Sequence, residues 1–112
     1  MARDDLEDQA EHAVVKNGDG HVVGVGRVHL LSPDVAQIRF MGVEEGYRER
    51  GVGRALIEFL EVSARGLGAK TLVLNARSTV VGFYEKLGFR VVGEGPVFFQ
   101  SVHHLKMEKA LD

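Results

Sequence analysis

The chain contains no cysteine, which excludes structural disulfides, thiolate nucleophiles and thiolate metal ligands. It has no long apolar run: none approaches the ~20 residues that a bilayer-spanning helix requires, so no membrane partner is expected. It carries no excess of one charge. With 14 Lys and Arg against 16 Asp and Glu, the net charge is −2, and nucleic-acid binding, which grows with the number of phosphates neutralised, has no electrostatic basis. Internal repeats and low-complexity tracts are also missing. The first eleven residues are acid-rich, with almost nothing apolar to bury, and lack the apolar stretch of a signal peptide. They read as a solvated lead-in, and a cytoplasmic location is the expectation. What is present is ordinary for one globular domain: 112 residues, 45% hydrophobic and 27% charged.

The pattern alternates before it becomes helical. His12–Val15 is a short strand candidate ended by Asn17-Gly18-Asp19-Gly20, whose residue types suit a tight hairpin turn. The return strand is His21–Leu30. Gly24 and Gly26 inside it suggest a bulge or a close backbone approach. After a turn at Ser32-Pro33-Asp34, Val35–Val43 forms another strand. Simple alternation puts Ala36, Ile38, Phe40 and Gly42 on one face, with Gln37, Arg39 and Met41 on the other. Val52, Ala55, Leu56, Phe59, Leu60 and Ser63 then recur at helical spacing, with C-terminal stops at Gly66 and Gly68. Thr71–Ala76 is a compact buried strand. Ser78 is placed to cap a short helix through Leu87, which Gly88 closes. Phe89–Val92 and a segment around Leu105 and Met107 supply the last strands. The order predicts an α/β (α+β) fold with a mixed, mostly antiparallel sheet and helices packed on it.

The chemically informative stretch is Arg48-Glu49-Arg50-Gly51-Val52-Gly53-Arg54, between a strand and a helix. A helix N-terminus offers unpaired N–H groups and a partial positive charge, and so attracts phosphate. Glycines at 51 and 53 remove side chains that would hold a ligand off the backbone, and Arg48, Arg50 and Arg54 add positive charge. The stretch is neither a Walker P-loop nor a dinucleotide fingerprint. By itself it reads either as an anion site for a phosphorylated cofactor or as a glycine-rich helix start with solvated arginines.

A second motif follows at Gly82-Phe83-Tyr84-Glu85-Lys86-Leu87-Gly88-Phe89. The two in this order, with the first after the strand ending Phe40-Met41-Gly42-Val43, resemble the GNAT superfamily of acyl-CoA-dependent N-acyltransferases over residues 12–111. The resemblance implies that Arg48, Arg50, Gly51, Val52, Gly53 and Arg54 hold the pyrophosphate of acetyl-CoA or another acyl-CoA, mostly through backbone amides. It implies that the strand carrying Met41 and Val43 splays from its neighbour and pairs with the pantetheine arm, as a free strand edge can. Tyr84 matches the tyrosine often assigned as the general acid for the leaving thiolate; its other reading, with Phe83 and Leu87, is the buried face of a short helix. Phe83 and Asn75 are counted with the cofactor-binding residues, though Asn75 equally fits a strand-end cap.

The implied reaction is direct attack of a primary amine, on a small molecule or a protein, with no metal. The position where relatives often carry a glutamate base holds Gln37, leaving Glu44, Glu45 and His29 as weaker alternatives. Arg77 and Val80 stand where relatives favour asparagine and alanine. His103-His104 lacks further ligands at metal spacing and reads as surface strand. Against the family pattern, the chain lacks the usual N-terminal strand and helix pair that wall the acceptor pocket, so homodimerisation is an expectation. Three readings follow: an active N-acetyltransferase, an acyl-CoA-binding or docking module with little activity, or a structural domain whose glycine loop binds nothing.

Overall fold

A computed structural model describes residues 10–48, 50–98 and 102–111; most of the acidic lead-in, and Glu49, lie outside the described residues. The elements are β1 (Glu11–Lys16), β2 (Val22–Ser32), β3 (Val35–Val43), α1 (Val52–Gly66), β4 (Thr71–Arg77), a 3-10 turn (Ser78–Val80), α2 (Val81–Lys86), β5 (Arg90–Phe98) and β6 (Val102–Ala110). The six strands form one sheet in the order β1-β2-β3-β4-β6-β5. Only the β3–β4 pair is parallel; the other four are antiparallel. A parallel pair needs a crossover, and α1 provides it.

The first hairpin is fixed by Asn17, whose Oδ1 accepts from the backbone N–H of Asp19 and His21. Of the two turn glycines, only Gly20 has a positive φ, +85°. Asn17 Nδ2 also donates to the Tyr47 hydroxyl at 3.1 Å. That bond ties the hairpin to the loop leading into α1.

Helix α1 lies on β2 because the strand gives it room. A Cβ on Gly24 would stand 2.8 Å from Val52 Cγ1, and one on Gly26 would stand 2.9 Å from Leu60 Cδ1. The two glycines therefore mark a close approach, and the β2–β3 register also slips at Gly26, so both expectations are met there. The buried face of α1 is Val52, Gly53, Leu56, Ile57, Leu60, Glu61, Ser63 and Ala64. This corrects the stripe expected from spacing: Ala55 and Phe59 are exposed, whereas Ile57 and Ala64 are fully buried. The helix is rotated by about one residue, because the groove over Gly24 and Gly26 accepts the ridge of Val52, Leu56 and Leu60.

Lys109 shows where the second helix sits. Its Nζ donates to Glu61 Oε2 of α1 at 2.9 Å and to the Leu87 carbonyl after α2 at 2.7 Å. Both helices therefore cover the same face of the sheet. Leu72, Leu74, Ala76 and Met107 are buried on that face with Ala36 and Ile38. Ser78 does not cap α2. It opens the 3-10 turn, and the residue at the start of α2 is Val80, with no side-chain cap. Strand β5 runs to Phe98, well past the expected Val92.

Candidate functional site

The geometry of β3 creates an opening in the sheet. Pairing with β2 runs Val28↔Ile38 and Arg27↔Arg39, then resumes one residue out of step at Val25↔Gly42 and Gly24↔Val43. One extra β3 residue is thus accommodated opposite Gly26, a bulge that bends the strand and adds twist. On the other side, β3 pairs with β4 only at Val35↔Thr71, Ala36↔Leu72 and Gln37↔Val73. Beyond Gln37 the two parallel strands diverge. The bulge also reverses the alternation expected from the sequence. Met41 Cγ stands 3.7 Å from where a Cβ on Gly26 would be, and Val43 Cγ2 stands 3.8 Å from the matching position on Gly53. Met41 and Val43 therefore join Ala36 and Ile38 on the helix face; the side chain of Phe40 lies outside the described residues.

The divergence opens a cleft of about 680 Å³. Gln37, Arg39 and Met41 line it from β3, Asn75 and Arg77 from β4, Tyr84 from α2, and Pro96 and His104 from β5 and β6. Parallel strands that separate at their C-terminal ends make a natural ligand crevice. A free β3 edge inside it presents backbone donors and acceptors to anything extended that enters.

Helix α1 begins at the same end of the sheet. Gly51 is its N-cap, with φ +83° and no side-chain cap bond. A Cβ there would meet nothing within 4 Å, so the left-handed backbone, rather than crowding, calls for glycine. The first loop-to-helix bond runs from the Ala55 N–H to the Gly51 carbonyl. The amides of Val52, Gly53 and Arg54 precede it and project from the helix start. The first turn holds no acidic residue, so the positive end of the helix is not neutralised from within.

Gly53 has a packing role besides the one expected. A Cβ on it would stand 3.2 Å from Phe83 Cζ. It admits α2 against the start of α1. Phe83 in turn meets the Tyr84 ring edge-on at 5.0 Å, so one aromatic contact links the helix start to Tyr84.

The three arginines do not converge on the helix start. Arg48 Nε donates to the Val43 carbonyl at 3.2 Å, and the Arg50 guanidinium lies 5.1 Å from the Tyr47 ring centroid. Arg54 pairs with Glu58 at 3.2 Å, both side chains more than 60% exposed. A pair that exposed is worth under about 1 kcal/mol and is easily exchanged for another anion. The amides are the fixed part of this site.

Tyr84 is half-buried, with its ring edge-on to Phe89 at 5.9 Å. Burial raises its phenol above the ordinary value of 10.0, because desolvation penalises the phenolate. Among the described residues no hydrogen bond engages its hydroxyl, which therefore remains a protonated donor on the cleft wall. Asn75 lines the cleft from an exposed position on β4 rather than capping the strand end. Its Oδ1 stands 3.0 Å from where a Cβ on Gly95 would be, so Gly95 makes room for it.

Gln37, which holds the position of the family's base but cannot act as one, lines the cleft, whereas the alternatives Glu44, Glu45 and His29 do not. His29 pairs across from Gln37 on β2, and the two glutamates are exposed beyond β3. His103 is exposed on β6, but His104 lines the cleft and its Nδ1 lies 3.1 Å from the Pro96 carbonyl. Surface strand thus describes His103 alone. Among the described residues no group of three or more His, Asp or Glu could hold a metal, and no helix is long and apolar enough to cross a membrane.

Sequence reasoning missed Arg39, Pro96 and His104 as neighbours of this site. The one local signal was the Gly95-Pro96 pair, a turn or bulge marker. It falls where the β5–β6 register slips between Glu94 and Val97.

Comparison with known proteins agrees with this geometry. Over 106 residues the chain is 35% identical to the uncharacterized N-acetyltransferase YjcF of Bacillus subtilis (strain 168), covering 95% of this chain and 74% of that protein. The fold matches the crystal structure of nourseothricin acetyltransferase with a TM-score of 0.85 at 22% identity, over 95% of this chain and 68% of that one. It also matches aminoglycoside 6'-N-acetyltransferase complexed with coenzyme A, with a TM-score of 0.82 at 16% identity, over 96% and 77% respectively. The family model for the acetyltransferase (GNAT) domain matches residues 1–111, and the chain belongs to that family.

Proposed function

We propose that the chain is an N-acetyltransferase that moves the acetyl group of acetyl-CoA to a primary amine. The observation that carries this reading is the single cleft in which the free edge of β3 and the Tyr84 side chain face one another. The pyrophosphate rests on the amides of Gly51, Val52, Gly53 and Arg54, with Arg48 and Arg50 at the loop. The pantetheine arm lies along β3 at Met41 and Val43. Phe83 and Asn75 border its far end, so the thioester arrives beside Tyr84.

The chemistry follows from these placements. The amine nitrogen attacks the thioester carbonyl carbon, the C–N bond forms and the C–S bond breaks. The Tyr84 hydroxyl gives its proton to the departing thiolate, a transfer that its raised pKa permits across neutral pH. The amine proton leaves to water, and the tyrosinate is reprotonated from solvent. No carboxylate lines the cleft among the described residues, so no side chain is assigned as base.

That last observation also favours a second reading, a CoA-binding module with little turnover. An assay of thiol release from acetyl-CoA, run against a panel of amines, separates the two. Amine-dependent release that Tyr84→Phe slows at least about tenfold, or ~1.4 kcal/mol, supports the transferase. Binding of acetyl-CoA without amine-dependent release supports the module.

A further inference from the structure

The charges lining the cleft are of one sign. Among its described residues the ionisable side chains other than Tyr84 are Arg39, Arg77 and His104, and no Asp or Glu is present. Arg39 and His104 are engaged by other groups of the chain, which leaves Arg77 as the cleft charge placed to meet a ligand. This residue ends β4, is exposed, and makes no ion pair among the described residues. It follows Asn75 on the same face of the strand, and opposite it on β6 stands His104.

The geometry points to an acceptor amine that carries its own negative charge, held by Arg77 while its amino group faces the thioester. This rests on the transferase reading and names the acceptor class within it. Three physical arguments lead there. An arginine is always charged and forms bidentate bonds with carboxylate or phosphate. A polycationic acceptor would meet like charge and find no carboxylate in the cleft to offset it. A nearby guanidinium also disfavours the ammonium form of the bound amine, which raises the fraction of neutral nucleophile where Gln37 supplies no base. Arg77 is thus a specificity-determining residue.

The test compares amines that differ only in the anion. Phenylalanine is set against phenethylamine, and O-phosphoethanolamine against ethanolamine, by kcat/KM for thiol release. In parallel, the CoA-loaded protein is titrated with N-acetylphenylalanine and with N-acetylphenethylamine, which needs no turnover. The anionic member is expected to be preferred at least tenfold in one pair, and which pair identifies carboxylate or phosphate. Arg77→Gln is expected to bring the ratio within about twofold, Arg77→Lys to restore part of it, and neither to alter CoA affinity. Equal use of both members, or preference for the uncharged twin, overturns the proposal. So does an Arg77→Gln variant that loses CoA affinity and keeps the preference. If no amine is acetylated, the transferase reading fails, and the titration alone decides whether the cleft prefers the anionic acetamide.

Discussion

Replacing Lys109 with methionine is expected to cost about 3 kcal/mol of folding stability, because it leaves a buried carboxylate without its closest partner. Glu61 is 9% exposed and Lys109 25%, with 2.9 Å between Nζ and Oε2. Breaking a buried pair from one side costs roughly 3–5 kcal/mol. The Leu87 carbonyl also loses an ammonium donor at 2.7 Å, a bond to a charged group worth about 1.5–3 kcal/mol. Arg65 tempers the loss, since its guanidinium stays within 3.8 Å of Glu61. Methionine keeps an apolar stem against Gly88, although the ammonium 5.9 Å from the Phe89 ring centroid is lost. For a chain of this size 1 kcal/mol shifts Tm by about 4–8 °C, so a fall of roughly 12–24 °C is expected.

Urea and thermal unfolding of the two single variants and the double variant complete the cycle. Glu61→Met alone should cost less, because Lys109 retains the Leu87 carbonyl and some contact with water. The double variant should recover most of the Lys109→Met loss, since an apolar pair can replace a buried ion pair at little cost. A Lys109→Met protein within about 1 kcal/mol of the parent, or a double variant worse than both singles combined, would refute the reasoning. The consequence reaches the site, because the Leu87 carbonyl terminates the helix that carries Tyr84.

Three further outcomes are expected. Tyr84→Phe should lower kcat at least about tenfold while leaving the CoA dissociation constant unchanged; in the parent, burial raises the Tyr84 pKa above its ordinary value, so no loss of kcat from its ionisation is expected up to about pH 9. The same shift fixes the sign for stability: the neutral phenol is favoured by the fold, so this contribution is complete below pH ~10 and is lost as the pH climbs from there through the raised value, which unfolding followed against pH measures. Gly26→Val should destabilise by about 2–3 kcal/mol in urea titration, because its Cβ would stand 2.9 Å from Leu60 Cδ1 and Leu60 has no exposed surface to move into.

Much of this fold was legible in the chain. The bounds of β3 agree with the alternating run, and the start and end of α1 fall at Gly51 and Gly66, where the helix signals stood. The two motifs around Gly51–Arg54 and Phe83-Tyr84 identified the family, and they meet where Phe83 packs against Gly53. Three features were not readable, each because a non-local partner decides it. Gly26 marks the place of the bulge, but that the extra residue falls in β3 and reverses the faces of Met41 and Val43 is decided by pairing with β2. Helix α1 carries more than one apolar ridge, and Gly24 and Gly26 choose between them. The cleft gathers Arg39, Arg77, Pro96 and His104 from four strands, and no spacing along the sequence foretells that assembly.

The most direct test of the central claim is calorimetric titration of the parent and of Gly51→Val with acetyl-CoA and CoA. Gly51 has φ +83° and open space around it, so a side chain there strains the helix start by about 1–2 kcal/mol and stands over its amides. The account predicts micromolar binding by the parent, and binding at least about tenfold weaker, ~1.4 kcal/mol, by a variant that circular dichroism shows to be folded. A folded parent that takes up neither ligand at about 1 mM, or a folded Gly51→Val that binds as tightly as the parent, would contradict it.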